Sequence, residues 1–263
     1  NTLLSTFSTY GSYISGTGTV YSVVSDAGSG LNQSSCQYTN GSSYATATFS
    51  SGQCQQAITI KNATTYKFNF TVRDNVSNQN TSISTASYIG DTLSPNTTSD
   101  FNNVWTNSDF AGTLTAVDTG AGVDYTQYCV DASGTCTPST IGTSVTVSCG
   151  AGRTCTNYTR FRSIDLLGQT EAIQTSSQIR IDLQAPITSI QANTSDKANY
   201  TFGVRTNLSY VNVTLSCSDA GIGCNTTLWC NDTDNSCIPS SNGTIQISAQ
   251  GGTYIRYFSN DSL

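Results

Sequence analysis

Histidine and methionine are absent from this 263-residue chain, glutamate occurs once, as Glu171, and only 10% of residues are charged. Without histidine, Ser-His-Asp and Cys-His catalysis and most catalytic zinc sites are excluded. With a single glutamate, the acid and base of a glycosidase would both have to be aspartates, and no aspartate lies in a pocket-forming context. No Gly-rich phosphate loop with a lysine occurs, so an enzyme is not expected. The net charge of −6 comes from scattered aspartates with no basic stripe, which argues against nucleic acid or anionic lipid as a partner. No apolar run approaches the roughly 18–20 residues of a membrane span, and no cleavable signal with a charged start is seen. A chain that begins at Asn1 without Met is expected to be a processed form or an excerpt of a longer precursor, with any membrane anchor outside it.

Asn-x-Ser/Thr sequons, in contrast, are abundant. There are sixteen, at Asn32, Asn40, Asn62, Asn69, Asn75, Asn80, Asn96, Asn157, Asn193, Asn199, Asn207, Asn212, Asn225, Asn231, Asn242 and Asn260. Ser and Thr make up 80 of the 263 residues, so chance would place them two positions after only about seven of the 22 asparagines. A sequon is used only outside the cytoplasm, on a surface facing water. The expectation is a heavily N-glycosylated extracellular or cell-surface protein whose sugars replace the missing ionic surface.

An internal repeat sets the domain plan. Turns of the form Asp-x-Gly-x-Gly recur at Asp26-Ala-Gly-Ser-Gly30, Asp118-Thr-Gly-Ala-Gly122 and Asp219-Ala-Gly-Ile-Gly223, 92 and 101 residues apart. Cys36 follows its aspartate by ten residues, and Cys129 and Cys230 follow theirs by eleven. Each unit later carries a Tyr-rich strand, at 66–74, 158–165 and 254–261. Three domains are expected, at 1–91, 92–182 and 183–263, with 1–17 as a donor or linker segment. The apolar period is two: Val211-Asn-Val-Thr-Leu215 puts its apolar side chains on one face and the sequon Asn212 on the other. Likewise Phe68, Phe70 and Val72 align with Thr159, Phe161 and Ser163 and with Ile255, Tyr257 and Ser259 as the inward set. Asn69, Arg160 and Arg256 are the outward partners. No stretch of helical period occurs, so the fold class is all-β, as sandwiches.

A strand, an Asp-x-Gly-x-Gly turn, a Tyr/Cys strand and an aromatic strand ending in Asp resemble the immunoglobulin-like or fibronectin-III-like repeats of prokaryotic surface proteins. Ser163-Ile-Asp-Leu-Leu-Gly-Gln-Thr-Glu171 and the linkers Asp91-Thr-Leu-Ser-Pro95 and Asp182-Leu-Gln-Ala-Pro186 add to the likeness. Richness in Asn, Ser and Thr with paired cysteines is similar to archaeal S-layer, filament and giant surface proteins. The resemblance implies a fold rather than a ligand.

Ten cysteines, divided two, four and four among the units, imply an oxidising compartment. Cys129 to Cys136 and Cys230 to Cys237 share a seven-residue step around turn residues, so each is expected to clip a hairpin. Cys36 would then pair with Cys54, Cys149 with Cys155 and Cys217 with Cys224. Such a clip on an eight-residue loop contributes about 2.5 kcal/mol in the chain-entropy model. The rival, zinc, lacks both the Cys spacing and a histidine.

The one chemical expectation is calcium. In such a sandwich the entering linker and the turns after the second and sixth strands lie at one pole. Asp91, Asp118 and Asp165 would converge at the first junction, and Asp182, Asp219 and Asp261 at the second. Carboxylates suit a hard cation such as Ca2+, which would stiffen the joint. The alternative is that each aspartate caps its own turn. No other cofactor is expected beyond covalent N-glycans.

The functional expectation is a structural glycoprotein, a subunit or segment of an extracellular filament or S-layer, that self-associates into a polymer or lattice. An adhesin for a glycan or protein is the alternative, with Trp105 and Trp229 as candidate contacts if they lie at loop tips, although a place in the core is the expectation for each, since Trp229 precedes Cys230 in a strand and Trp105 sits near the start of unit two. Units one and two should end in a last strand, at 82–89 and 176–182, whereas unit three stops inside the turn before it. Either following residues supply that strand, or a neighbouring subunit inserts one, with 2–14 as the donor.

Overall fold

A computed structural model describes residues 2–83 and 86–263, and it is all-β, as three tandem β-sandwiches. No sheet mixes strands from different units among the described residues. In unit one, Thr2–Ser5, Thr17–Val23, Gln53–Thr59 and Thr48–Ser50 form one sheet, and Gln79–Ile83, Asn69–Asp74, Leu31–Thr39 and Ala45–Thr46 form a second. A third, smaller sheet near the exit contains the parallel pair Tyr13–Ser15 and Tyr88–Gly90. The stretch 2–14 is therefore engaged in unit one: Thr2–Ser5 pairs with Thr17–Val23, Ser8–Tyr10 pairs with Tyr13–Ser15, and Ile14 is fully buried. The strand expected at 82–89 includes Ser84 and Thr85, which lie outside the described residues.

Unit two packs Asn96–Ser99, Phe110–Val117 and Ser144–Val147 against a larger sheet centred on Thr154–Asp165. That strand is flanked by Val123–Asp131 on one side and by Gln174–Thr175 and Ile179–Asp182 on the other. Leu114, Val145 and Val147 from the first sheet meet Phe161, Ile179 and Ile181 from the second, so alternate residues of both sheets make one core. Unit three repeats the plan with Ile187–Thr194, Val211–Ser218 and Ile245–Ile247 facing Cys224–Asp232 and Tyr254–Asp261.

The expected inward set of the Tyr-rich strand is found with physical differences between units, and in unit one Thr71 is buried as well, between Phe70 and Val72. Phe68, Phe70 and Val72 are buried, as are Thr159, Phe161 and Ser163, whereas Ile255, Tyr257 and Ser259 are half-buried. In unit three the strand has a described neighbour on one edge only, so no residues equivalent to Ile179 and Ile181 extend the inner face beside it among the described residues. Tyr254 and Phe258, on the opposite face of the strand with Arg256, are exposed.

Candidate metal centre at the unit junctions

Each Asp-x-Gly-x-Gly turn is organised by its own aspartate, whose short side chain folds back on the backbone. Asp118 Oδ2 accepts the N–H groups of Gly120 at 2.9 Å and Gly122 at 2.8 Å, and Asp219 Oδ2 accepts those of Gly221 at 3.1 Å and Gly223 at 2.8 Å. Asp26 likewise accepts the Gly30 N–H. The second glycine is required by conformation, since Gly30, Gly122 and Gly223 have φ of 81°, 93° and 90°.

The linker aspartate enters this turn from the preceding unit. Asp91 Oδ2 accepts the Ala121 N–H at 2.7 Å, and Asp182 Oδ2 accepts the Ile222 N–H at 2.9 Å. Asp165, at the end of its strand, accepts the N–H groups of Leu167 and Gln169 on Oδ1. The Gln169 amide bridges Asp165 Oδ2 at 2.9 Å and the Asp91 carbonyl at 3.1 Å. Asp91, Asp118 and Asp165 thereby bring one carboxylate oxygen each to within 4.8 Å of one another, with Asp91 and Asp165 buried. Oxygens bound about 2.3–2.6 Å from one Ca2+ ion are at most about 5 Å apart, so the three fit such an ion. Two carboxylates at this separation repel by roughly 3 kcal/mol at an effective dielectric of about 20, a cost that a cation removes.

The second trio does not converge to that distance among the described residues. Asp261 accepts the Leu263 N–H instead, and no side chain described in unit three plays the bridging part of Gln169. Burial raises the carboxyl pKa of Asp182. The Ile222 N–H, the Thr154 hydroxyl and the Gln184 N–H outweigh that effect and hold the group below its ordinary value of 3.8.

The cysteines form five bridges, Cys36–Cys54, Cys129–Cys136, Cys149–Cys155, Cys217–Cys224 and Cys230–Cys237, each inside one unit. Cys217 and Cys224 flank the Asp219 turn and so staple it. Inside the Cys129–Cys136 loop, Asp131 accepts the Gly134, Thr135 and Cys136 N–H groups; in the equivalent loop Asp232 accepts those of Ser236 and Cys237. These acceptors are a feature that composition does not single out, although an Asp two residues after each first cysteine repeats in both units.

None of the sixteen sequon asparagines is buried, and Asn62, Asn75, Asn80, Asn96, Asn193, Asn199, Asn207, Asn225, Asn231, Asn242 and Asn260 are exposed. The tryptophans are not at loop tips. Trp105 lies half-buried on a short strand with the Arg180 guanidinium 5.7 Å from its ring centre, and Trp229 packs against the unit-three core.

No family model and no curated protein matches the chain. Among solved structures, the chain is similar to the fibronectin(III)-like modules of Clostridium thermocellum CbhA, at 12% identity over 64% of this chain and 85% of that one. The TM-score of 0.34 is too low to carry any assignment. No helix of the described residues is long and apolar enough to cross a membrane.

Proposed function

We propose that the chain is a non-enzymatic structural glycoprotein, a subunit or segment of an extracellular filament or S-layer. The observation that carries this reading is that none of the sixteen sequon asparagines is buried and eleven are exposed, so the fold leaves the excess of acceptor sites at the surface, where a sugar would face water. Five disulfides in a chain of polar, modest cores support an oxidising, extracellular setting. Negative-stain imaging of native material tests the whole reading: ordered filaments or sheets are expected, and isolated rods that bind a glycan or protein would establish the adhesin instead. Neither Trp105 nor Trp229 lends that alternative an exposed aromatic contact.

A second element of the proposal is a structural Ca2+ ion at the first junction, on Asp91, Asp118 and Asp165, favoured by their convergence to 4.8 Å. The ion would tie the linker to unit two without entering any reaction. Calorimetric titration with CaCl2 should show one site that Asp118→Asn removes, and an absence of binding heat in the unmodified chain would dismiss the ion.

A further inference from the structure

We propose that the Asp-x-Gly-x-Gly turn is a binding site for an aspartate carboxylate, and that each such site locks its unit to the one before by accepting the first side chain of the linker. The two junctions use the same parts. Asp91 and Asp182 are 1% and 2% exposed, and each accepts the N–H of the residue standing between the two glycines of the next turn. Each also closes an Asx turn on its own linker, Asp91 Oδ1 with the Leu93 N–H and Asp182 Oδ1 with the Gln184 N–H, which fixes the carboxylate's direction. The backbone N–H groups of the turn are thereby divided: the glycine N–H groups point to the turn's own aspartate and the one between them to the incoming carboxylate.

The first glycine of the turns in units two and three is explained by this ligand. Neither Gly120 nor Gly221 has a left-handed φ, so conformation does not require glycine there. A Cβ at either position would overlap the linker carboxylate, Asp91 at Gly120 and Asp182 at Gly221, closer than the 3.0 Å that real Cβ atoms respect. Gly28 of unit one is the internal contrast, because a Cβ there would meet only its own Asp26 carboxylate, at 3.8 and 3.9 Å. The linkers are thus fixed joints, with set angles between units.

The test uses the full disulfide-bonded chain in EDTA, so that failure of the calcium reading leaves it untouched. Thermal unfolding and small-angle X-ray scattering are compared for Gly120→Ala, Gly28→Ala, Asp91→Ala and Asp91→Ala/Gly120→Ala. Gly120→Ala should lower the unfolding midpoint of unit two by roughly 5–10 °C and broaden the distribution of end-to-end distances. Gly28→Ala should leave both unchanged. The double variant should behave as Asp91→Ala alone, since the group that the added methyl overlaps is gone. If Gly120→Ala does not fold, folding of the double variant carries the same conclusion. An equal loss in Gly28→Ala and Gly120→Ala, additivity in the double variant, or its failure to fold where Asp91→Ala folds would overturn the assignment.

Discussion

The guanidinium of Arg160 donates from Nη1 to the carbonyl oxygen of Cys136 at 2.6 Å, holding the closed end of the Cys129–Cys136 loop against the strand that carries the arginine. Arg256 does the same to the carbonyl of Cys237 at 2.7 Å. Both arginines sit directly across from the first cysteine of their loop, Cys129 with Arg160 and Cys230 with Arg256. Arg160→Met keeps the apolar stem and removes the donor, so it should destabilise unit two by about 1–2 kcal/mol in urea unfolding. A change below about 0.3 kcal/mol would mean that solvent serves those carbonyls as well.

Acid should loosen these loops late. Burial raises the Asp232 carboxyl pKa, but the Ser236 and Cys237 N–H groups and the side chains of Asp234 and Ser236 bring it down to about 2, below its ordinary 3.8. A depressed folded value means that the stabilisation is complete above 3.8 and disappears as the pH falls through about 2. Carboxyl NMR shifts followed from pH 5 to pH 1 should therefore place Asp232 below the solvated aspartates. A midpoint near 4 would contradict the hydrogen-bond count.

Strand positions were legible because burial on one face forces alternation, and Val211-Asn-Val-Thr-Leu215 reports that face directly. The repeated aspartates were legible as turn chemistry, since Asp before Gly has a local reason to recur. What Asp91 touches was not legible, because its partner Ala121 is thirty residues away and the contact depends on how two units dock. The same holds for the failure of Asp182, Asp219 and Asp261 to gather. The spacings differ, 27 and 47 residues in the first trio against 37 and 42 in the second, and among the described residues only the first trio has a bridging amide, that of Gln169. The segment 2–14 alternates like any exposed edge strand, so only the tertiary pairing of Thr2–Ser5 assigns it to unit one.

Glycan occupancy should be uneven. The Asn75 amide nitrogen donates to the Ser29 carbonyl at 2.9 Å and the Asn157 amide nitrogen contacts Cys155 Sγ at 3.2 Å, so the atom that would carry the sugar is engaged. Glycopeptide mass spectrometry should find these two sites less occupied than Asn62, Asn96 or Asn242, and the intact mass should exceed 27.7 kDa. A bare-chain mass would remove the basis for the glycoprotein reading.

Glu171, the only glutamate, is buried in unit two, where its carboxylate accepts the Thr97 N–H at 2.8 Å, the Thr97 hydroxyl at 2.6 Å and the Ser163 N–H at 3.1 Å. Ser163 in turn shares hydroxyl hydrogen bonds with Thr97 and Thr126 at 2.6 and 2.8 Å. Unit three repeats the hydroxyl trio as Thr188, Ser259 and Thr227, while unit one has Val72 at the serine position. Two of the three donors to Glu171 are backbone groups that no side-chain change can remove, so the carboxylate ties Asn96–Ser99 and Thr154–Asp165 together. Glu171→Ala should cost about 2–4 kcal/mol in urea unfolding followed by Trp105 fluorescence, because buried donors lose their acceptor. Glu171→Gln should cost nearly as much, since its amide nitrogen would turn a donor toward other donors. Ser163→Val, which copies unit one, should cost less than either, because the backbone N–H of residue 163 keeps its acceptor. If Glu171→Gln proves as stable as the parent chain, the carboxylate is not what joins the two strands.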